Sequence, residues 1–341
     1  MRQLKIGLIG CGGFARGTHL PLIKANPKYK VAAACDINLQ AAEAVQKEFS
    51  AQYATTEPEK VFADKEIQAV LIVTRHDTHA SLSIQAAEAH KHILCEKPMG
   101  LNIEECIRVA KAVLKANVKY TVGYNRGMAP LVLRAKELLN GEGAKRLIYH
   151  RIQAPFPPES WTHIPNVGGG RFVGEGCHIF DLICELVPAP PVSVYAAGGI
   201  FLDPDKVKIP DSGIVTIAFV DGSVGTTLIA SAGCAQFPKE STEIYCGGKA
   251  IHINDFREMT YHGFVENGEG KITLAAVDKG HRRELDLFAD SVLSKTEPPN
   301  GINKAFRAAQ ISFLVLDSIK TGKPAAVKEL DLIKKYEKEK T

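Results

Sequence analysis

From residue 4 to about 123, short apolar runs alternate with longer stretches of helical periodicity, the pattern of a parallel sheet joined by crossover helices. Strands are expected at Leu4 to Ile9, Val31 to Cys35, Ala69 to Val73, His92 to Cys95 and Tyr120 to Val122, with amphipathic helices over 38–49, 78–90 and 103–117. The last of these has a start signal: Asn102 can cap the first amides while Glu105, three residues on, reaches back.

After Gly123 the texture changes. A helix over 129–139 stops at Asn140-Gly141, and strands follow near 145–154, 192–198, 213–220, 223–230, 241–246 and 249–253. Asp221-Gly222 and Gly247-Gly248 lie between paired runs, where tight hairpin turns belong, so this half is expected to be mainly antiparallel. Helices over 282–294 and 303–320 flank the breaker Pro298-Pro299-Asn300-Gly301, and the charge-rich residues 328–341 are expected at the surface.

Composition narrows the class. A chain of 341 residues at ~150 per domain suggests two domains, and 45% hydrophobic with 23% charged residues is ordinary for a folded globular protein. The net charge of +4 is too small and dispersed for a nucleic-acid partner, and no apolar run spans a bilayer. Met1 to Gly10 leads into a strand rather than a secretory leader. The eight cysteines are scattered without a C-x-x-C pair, so reduced thiols, a cytoplasmic address and no metal site are expected.

The first chemistry lies at Gly10-Cys11-Gly12-Gly13-Phe14-Ala15, a G-x-G-x-x-A pattern between a strand and a helix. Gly10 permits the turn, Gly12 and Gly13 let backbone amides approach a pyrophosphate, and Ala15 lets helix pack on strand. Asp36 ends the second strand, 21 residues after Ala15, where a carboxylate accepts from adenosine ribose hydroxyls. With no Lys or Arg after Asp36 until Lys47, NAD is expected rather than NADP. Residues 1–123 thus read as an α/β Rossmann dinucleotide-binding domain, and 124–341 as an α+β domain with an open, mainly antiparallel sheet.

Four blocks resemble the glucose-fructose oxidoreductase, inositol dehydrogenase and rhizopine-catabolism family, Gfo/Idh/MocA. They are Gly10 to Ala15; Thr74 with His79; Cys95-Glu96-Lys97-Pro98; and Gly168-Gly169-Gly170 followed by Gly176-Cys177-His178-Ile179-Phe180-Asp181. The resemblance spans about 4 to 320 and implies sugar or cyclitol chemistry. It extends the cofactor-binding set to Phe14, Thr74, His79, Glu96 and Lys97. It also implies that Lys97 is the active-site lysine, joined to Pro98 by a cis bond. A lysine at a strand's C-terminal end lies in the crevice where such sheets bind ligands, and partial desolvation there favours the neutral amine. His178 matches the second-domain histidine, and an imidazole, with its ordinary pKa near ~6.5, can take a proton from a secondary hydroxyl as its carbon gives up hydride. Either Lys97 or His178 fits as the proton acceptor.

One departure stands out: relatives often carry an aspartate four residues before the histidine, where this chain has Gly174. Glu175 is expected as a substrate-hydroxyl ligand in its place and Asp181 as an orienter of His178, one helical turn on. Arg75 and His76 also replace the proline and asparagine that often follow Thr74. Tyr124-Asn125-Arg126 resembles a pocket-lining segment, and Trp161 and His163, in a proline-rich loop, are further substrate-binding candidates, the indole offering a face to a sugar ring.

The expected activity is hydride transfer from a secondary hydroxyl of a sugar, sugar derivative or cyclitol to NAD, in a homodimer or homotetramer. The alternatives are an NAD-dependent glycosidase working through transient oxidation and a non-catalytic nucleotide-sensing regulator.

Overall fold

The computed structural model describes residues 3–264 and 269–328. The chain divides into two compact units, one formed by Met1–Tyr124 with His281–Phe306, the other by Asn125–Gly280 with the stretch beginning at Arg307.

In the first unit, β1 (Leu4–Ile9), β2 (Tyr29–Cys35), β3 (Tyr53–Thr55), β4 (Ala69–Ile72), β5 (His92–Cys95) and β6 (Tyr120–Val122) form one parallel sheet in the order β3-β2-β1-β4-β5-β6. The order reverses between β1 and β4, the point at whose C-terminal edge such sheets hold ligands. Helices α1 (Leu20–Lys24), α2 (Leu39–Phe49), α3 (Pro58–Ala63), α4 (His76–Glu88) and α5 (Ile103–Ala116) complete the crossovers. Leu4, Ile6, Leu8 and Ile9 of β1 are all buried, as a strand covered on both faces requires. The start of α5 forms as expected: Asn102 Oδ1 accepts from the Glu105 amide at 2.8 Å, and Glu105 accepts from Asn102 Nδ2 and the Leu101 amide. Strand β3 and helix α3 were not anticipated; β3 is no shorter than β6, but at the sheet edge it fully buries only Thr55 and so carries no apolar run.

The helix His281–Leu293 belongs to this unit, whereas the sequence reading assigned all of 124–341 to the second domain. The reason is burial: Leu285, Phe288 and Ala289 enter the first unit's core, and the Leu285 carbonyl accepts from Tyr29 Oη at 2.6 Å.

The second unit is built on a nine-stranded sheet. Its strands are β7 (Arg146–Gln153), β8 (Pro191–Gly199), β9 (Ser212–Phe219), β10 (Val224–Ala230), β11 (Glu240–Cys246), β12 (Lys249–Asn254), β13 (Glu258–His262), β14 (Glu269–Thr273) and β15 (Ala325–Ala326), in the order β14-β13-β12-β11-β7-β10-β9-β8-β15. Every pairing is antiparallel except β7 with β10. Both Gly-containing turns join antiparallel neighbours, β9–β10 and β11–β12. The short edge strands β14 and β15, and β13 beside β14, escaped the sequence reading. Helices α6 (Pro130–Leu138), α7 (Pro165–Gly168) and α8 (Cys177–Leu186) follow, and α6 and α8 pack Leu131, Val132, Ile179, Phe180, Leu182 and Ile183 into the core over the sheet. The expected surface tail over 328–341 lies outside the described residues except for Lys328.

Candidate active site

The glycine loop leaves β1 at its C-terminal end. Gly10 has φ +96°, and a Cβ there would stand 2.4 Å from the Val73 carbonyl oxygen, so only glycine lets this turn lie against the segment that follows β4. Gly12 and Gly13 are exposed and a Cβ on either would meet nothing within 4 Å, which leaves an open cradle before the first helical turn. The chain then enters a π-helical turn, Ala15–His19, with Ala15 fully buried. Asp36 Oδ2 accepts from the Cys11 amide at 2.7 Å and Oδ1 from the Asn38 amide at 2.8 Å. The carboxylate therefore fixes the loop to the end of β2 while keeping lone pairs for further donors. Arg16, distant from Asp36 in sequence, reaches the same region, where it donates to the Cys11 and Ala41 carbonyls at 3.1 and 3.0 Å.

The next crevice residues are tied together by His79, which is wholly buried. Its Nδ1 lies 2.8 Å from the Pro98 carbonyl and its Nε2 3.2 Å from the Thr74 carbonyl, and burial holds its pKa below the usual value. His79 thus spans two backbone segments of the site rather than presenting its ring to a ligand. The Lys97-Pro98 bond is cis and Lys97 is half-buried at the end of β5. Glu96 is buried, with Oε1 accepting from His19 Nε2 at 2.6 Å and Oε2 from the Lys97 amide at 3.2 Å. Burial pushes its carboxyl up, but the His19 hydrogen bond and charge, then Lys97 and His281, outweigh that and hold it at about 2. The rings of Phe14, His19 and His281 pack edge-on around this pair. The glutamate named as a cofactor ligand is thereby engaged with a histidine that the sequence reading missed.

In the second unit, Asn125, Arg126 and Glu175 come together. Arg126 is buried and donates from Nε to Glu240 Oε2 at 2.7 Å, and from Nη2 to Glu240 Oε1 at 3.0 Å and Glu175 Oε1 at 3.2 Å. Lys279 Nζ also donates to Glu240, His150 Nε2 stands 3.7 Å from it, and Asn125 Nδ2 donates to the Lys279 carbonyl at 2.7 Å. Burial works against the Arg126 charge, but Glu240 and Glu175 hold its pKa above the ordinary value. Burial likewise pushes Glu240 up, and Arg126 and Lys279 bring it down to about 2. Arg126 therefore grips two carboxylates of its own chain, and Glu240 and Lys279, which complete the network, are 114 and 153 residues away in sequence.

His178 is buried in the first turn of α8, after a π-helical turn at Phe172–Gly176 that carries Glu175. Asp181 is fully buried on the same helix and faces the turn Asn125–Met128, with Oδ2 3.9 Å from where a Gly127 Cβ would be. Tyr124 is fully buried and its carbonyl accepts from Asn300 Nδ2 at 2.8 Å. Trp161 opens a short helical turn capped by Ser160 and is 36% exposed, so it does not fill a core. His163, in the same turn, is buried edge-on to Phe156, whose ring also carries the Arg171 guanidinium, 4.3 Å from its centroid. Arg171 was missed, although its place directly after Gly168-Gly169-Gly170 was a signal.

Residues 4–124 match the model of an oxidoreductase family with an NAD-binding Rossmann fold, and residues 133–251 that of the Gfo/Idh/MocA C-terminal domain. The chain belongs to the Gfo/Idh/MocA oxidoreductase family. Its first unit is the family's NAD-binding domain, and the open cradle at Gly12 and Gly13 beside Asp36 fits that nucleotide. Among Gfo/Idh/MocA relatives, the myo-inositol 2-dehydrogenase of Thermotoga maritima is 27% identical over 333 residues, 95% of this chain and 90% of that protein. The scyllo-inositol 2-dehydrogenase (NAD(+)) of Bacillus subtilis is 30% identical over 229 residues, 65% of this chain and 66% of that protein. A levoglucosan dehydrogenase solved with NADH and levoglucosan has the same fold, with a TM-score of 0.86 at 20% identity, covering 96% of this chain and all of that one.

Proposed function

We propose that this family member oxidises a secondary hydroxyl of a sugar, sugar derivative or cyclitol with NAD. The observation that carries the reading is the glycine cradle at the sheet's switch point, with Asp36 on one side of it and Lys97 at the end of β5. NAD, when bound, supplies the hydride acceptor. The chain's own residues hold nucleotide and substrate and manage one proton.

Gly12, Gly13 and Phe14 would hold the pyrophosphate, Asp36 the adenosine ribose, and the Thr74 backbone the nicotinamide ribose. Lys97 would polarise the substrate oxygen, with its backbone fixed by Glu96 and by His79 through Pro98. His178 would take or return the hydroxyl proton, and Asp181 would orient it. Glu175, steadied by Arg126, would accept from a neighbouring substrate hydroxyl, and the exposed face of Trp161 would cover a sugar ring.

Two broader features belong to the same proposal. The second unit exposes Leu147, Tyr195, Ile214 and Tyr245 on its sheet, an apolar set suited to pairing copies of the chain as a dimer or tetramer. No helix among the described residues is long and apolar enough to cross a membrane, and none of the eight cysteines forms a disulfide, which suits a cytoplasmic address. The test of the activity is NADH formation by the purified protein across a panel of neutral sugars, sugar acids and inositols. Turnover of one or more supports the reading, and NAD binding without turnover of any would refute it.

A further inference from the structure

Arg171 is a charge without a match. It is buried, at 5% exposure, and among the described residues no carboxylate forms an ion pair with it and its Nε has no hydrogen-bond partner. The acids around it are already engaged: Glu175 by Arg126, Glu240 by Arg126 and Lys279, and Asp211 by the Phe201 and Leu202 amides and the Ser212 hydroxyl. Its neighbour His163 is 3% exposed, and neither ring nitrogen has a partner. Two buried side chains thus keep unpartnered nitrogens against one ring, Phe156, which stacks on the guanidinium and meets the imidazole edge-on. The ring is held in place through its backbone, since the Phe156 amide donates to the Ser231 carbonyl at 2.9 Å.

A protein interior rarely leaves such groups without a water, an ion or a ligand to complete them. A guanidinium fork beside an imidazole N–H is the donor set for a carboxylate. A phosphomonoester, with nearly two negative charges, would leave one unmatched beside Glu175 and Asp211. We propose that Arg171 and His163 form a subsite for the carboxylate of an acidic sugar, an aldonate or a uronate. The assignment rests on the sugar-dehydrogenase reading and makes it more specific, with Arg171 seven residues before His178 in the chain.

Calorimetric titration of the NAD-loaded protein with D-gluconate, D-glucuronate, glucose 6-phosphate and uncharged D-glucitol tests it. At least one of the two carboxylates should bind about tenfold or more tightly than glucitol. Arg171→Met should erase that margin, Arg171→Lys should keep part of it, and His163→Asn should weaken acid binding severalfold. Without sugar, Arg171→Met should melt at or above the wild-type temperature, because an unmatched buried charge has been removed. Several results would overturn the subsite: neither carboxylate outbinding glucitol, glucose 6-phosphate binding more tightly than both, Arg171→Met retaining the margin, or that variant melting lower. Failure of the dehydrogenase reading looks different: the carboxylate margin persists but no sugar, acidic or neutral, yields NADH.

Discussion

Individual side chains here are set by what they are buried against. Lys97→Met should lower turnover by roughly 10²- to 10⁴-fold, the range of a lost proton-transfer or polarising group, while NAD affinity measured by fluorescence stays close to wild type. The buried acids give a second prediction. Glu96 and Glu240 sit near 2 in the folded chain against an ordinary 4.5, so between these values the unfolded chain binds more protons. Their contribution is complete above about 4.5 and is lost as pH falls toward 2, on the order of 3 kcal/mol for each. His150, lowered by burial to about 4 from 6.5, acts in a higher window: its contribution is complete above 6.5 and is lost on acidification toward 4. Melting temperature should therefore begin to fall below pH 6.5, and His150→Gln should flatten the upper part of that decline.

At the scale of elements, the first unit was legible because its signals are local. The β1 run, the glycine turn and Asp36 at the end of β2 needed no distant contact to be recognised, and neither did the Asn102 cap. Asn102→Ala should cost about 1 kcal/mol in denaturant unfolding, since the first turn of α5 would lose its acceptor. Gly10→Ala should be far more damaging, because the φ of +96° and the Val73 carbonyl 2.4 Å from a new Cβ both oppose it. The expected readout is lost NAD binding or failure to fold. Elements without local signals were missed: β3 and β15 are short edge strands that lack a buried apolar run.

At the scale of the whole molecule, the exposed apolar positions on the nine-stranded sheet bear on assembly. Sedimentation should show two or four copies, and Tyr195→Glu combined with Ile214→Glu should shift the protein toward monomer with little change in the far-ultraviolet circular dichroism. A wild-type monomer at working concentration would contradict the proposed pairing. The return of His281–Leu293 to the first unit is also a property at this scale: the helix was visible in the sequence, but its partner was not.

The sequence by itself determined the two sheet types, the nucleotide loop, the acidic end of β2 and the Glu96-Lys97-Pro98 segment, because each depends on short-range periodicity or contiguous residues. Only the tertiary structure decided that Glu96 belongs to His19, 77 residues away, that Arg126 is held by Glu240, and that Arg171 is buried with no acid of its own. The physical reason is that a charge takes its meaning from its surroundings. Desolvation and pairing depend on which distant segments close over a side chain, and no spacing along the chain records that.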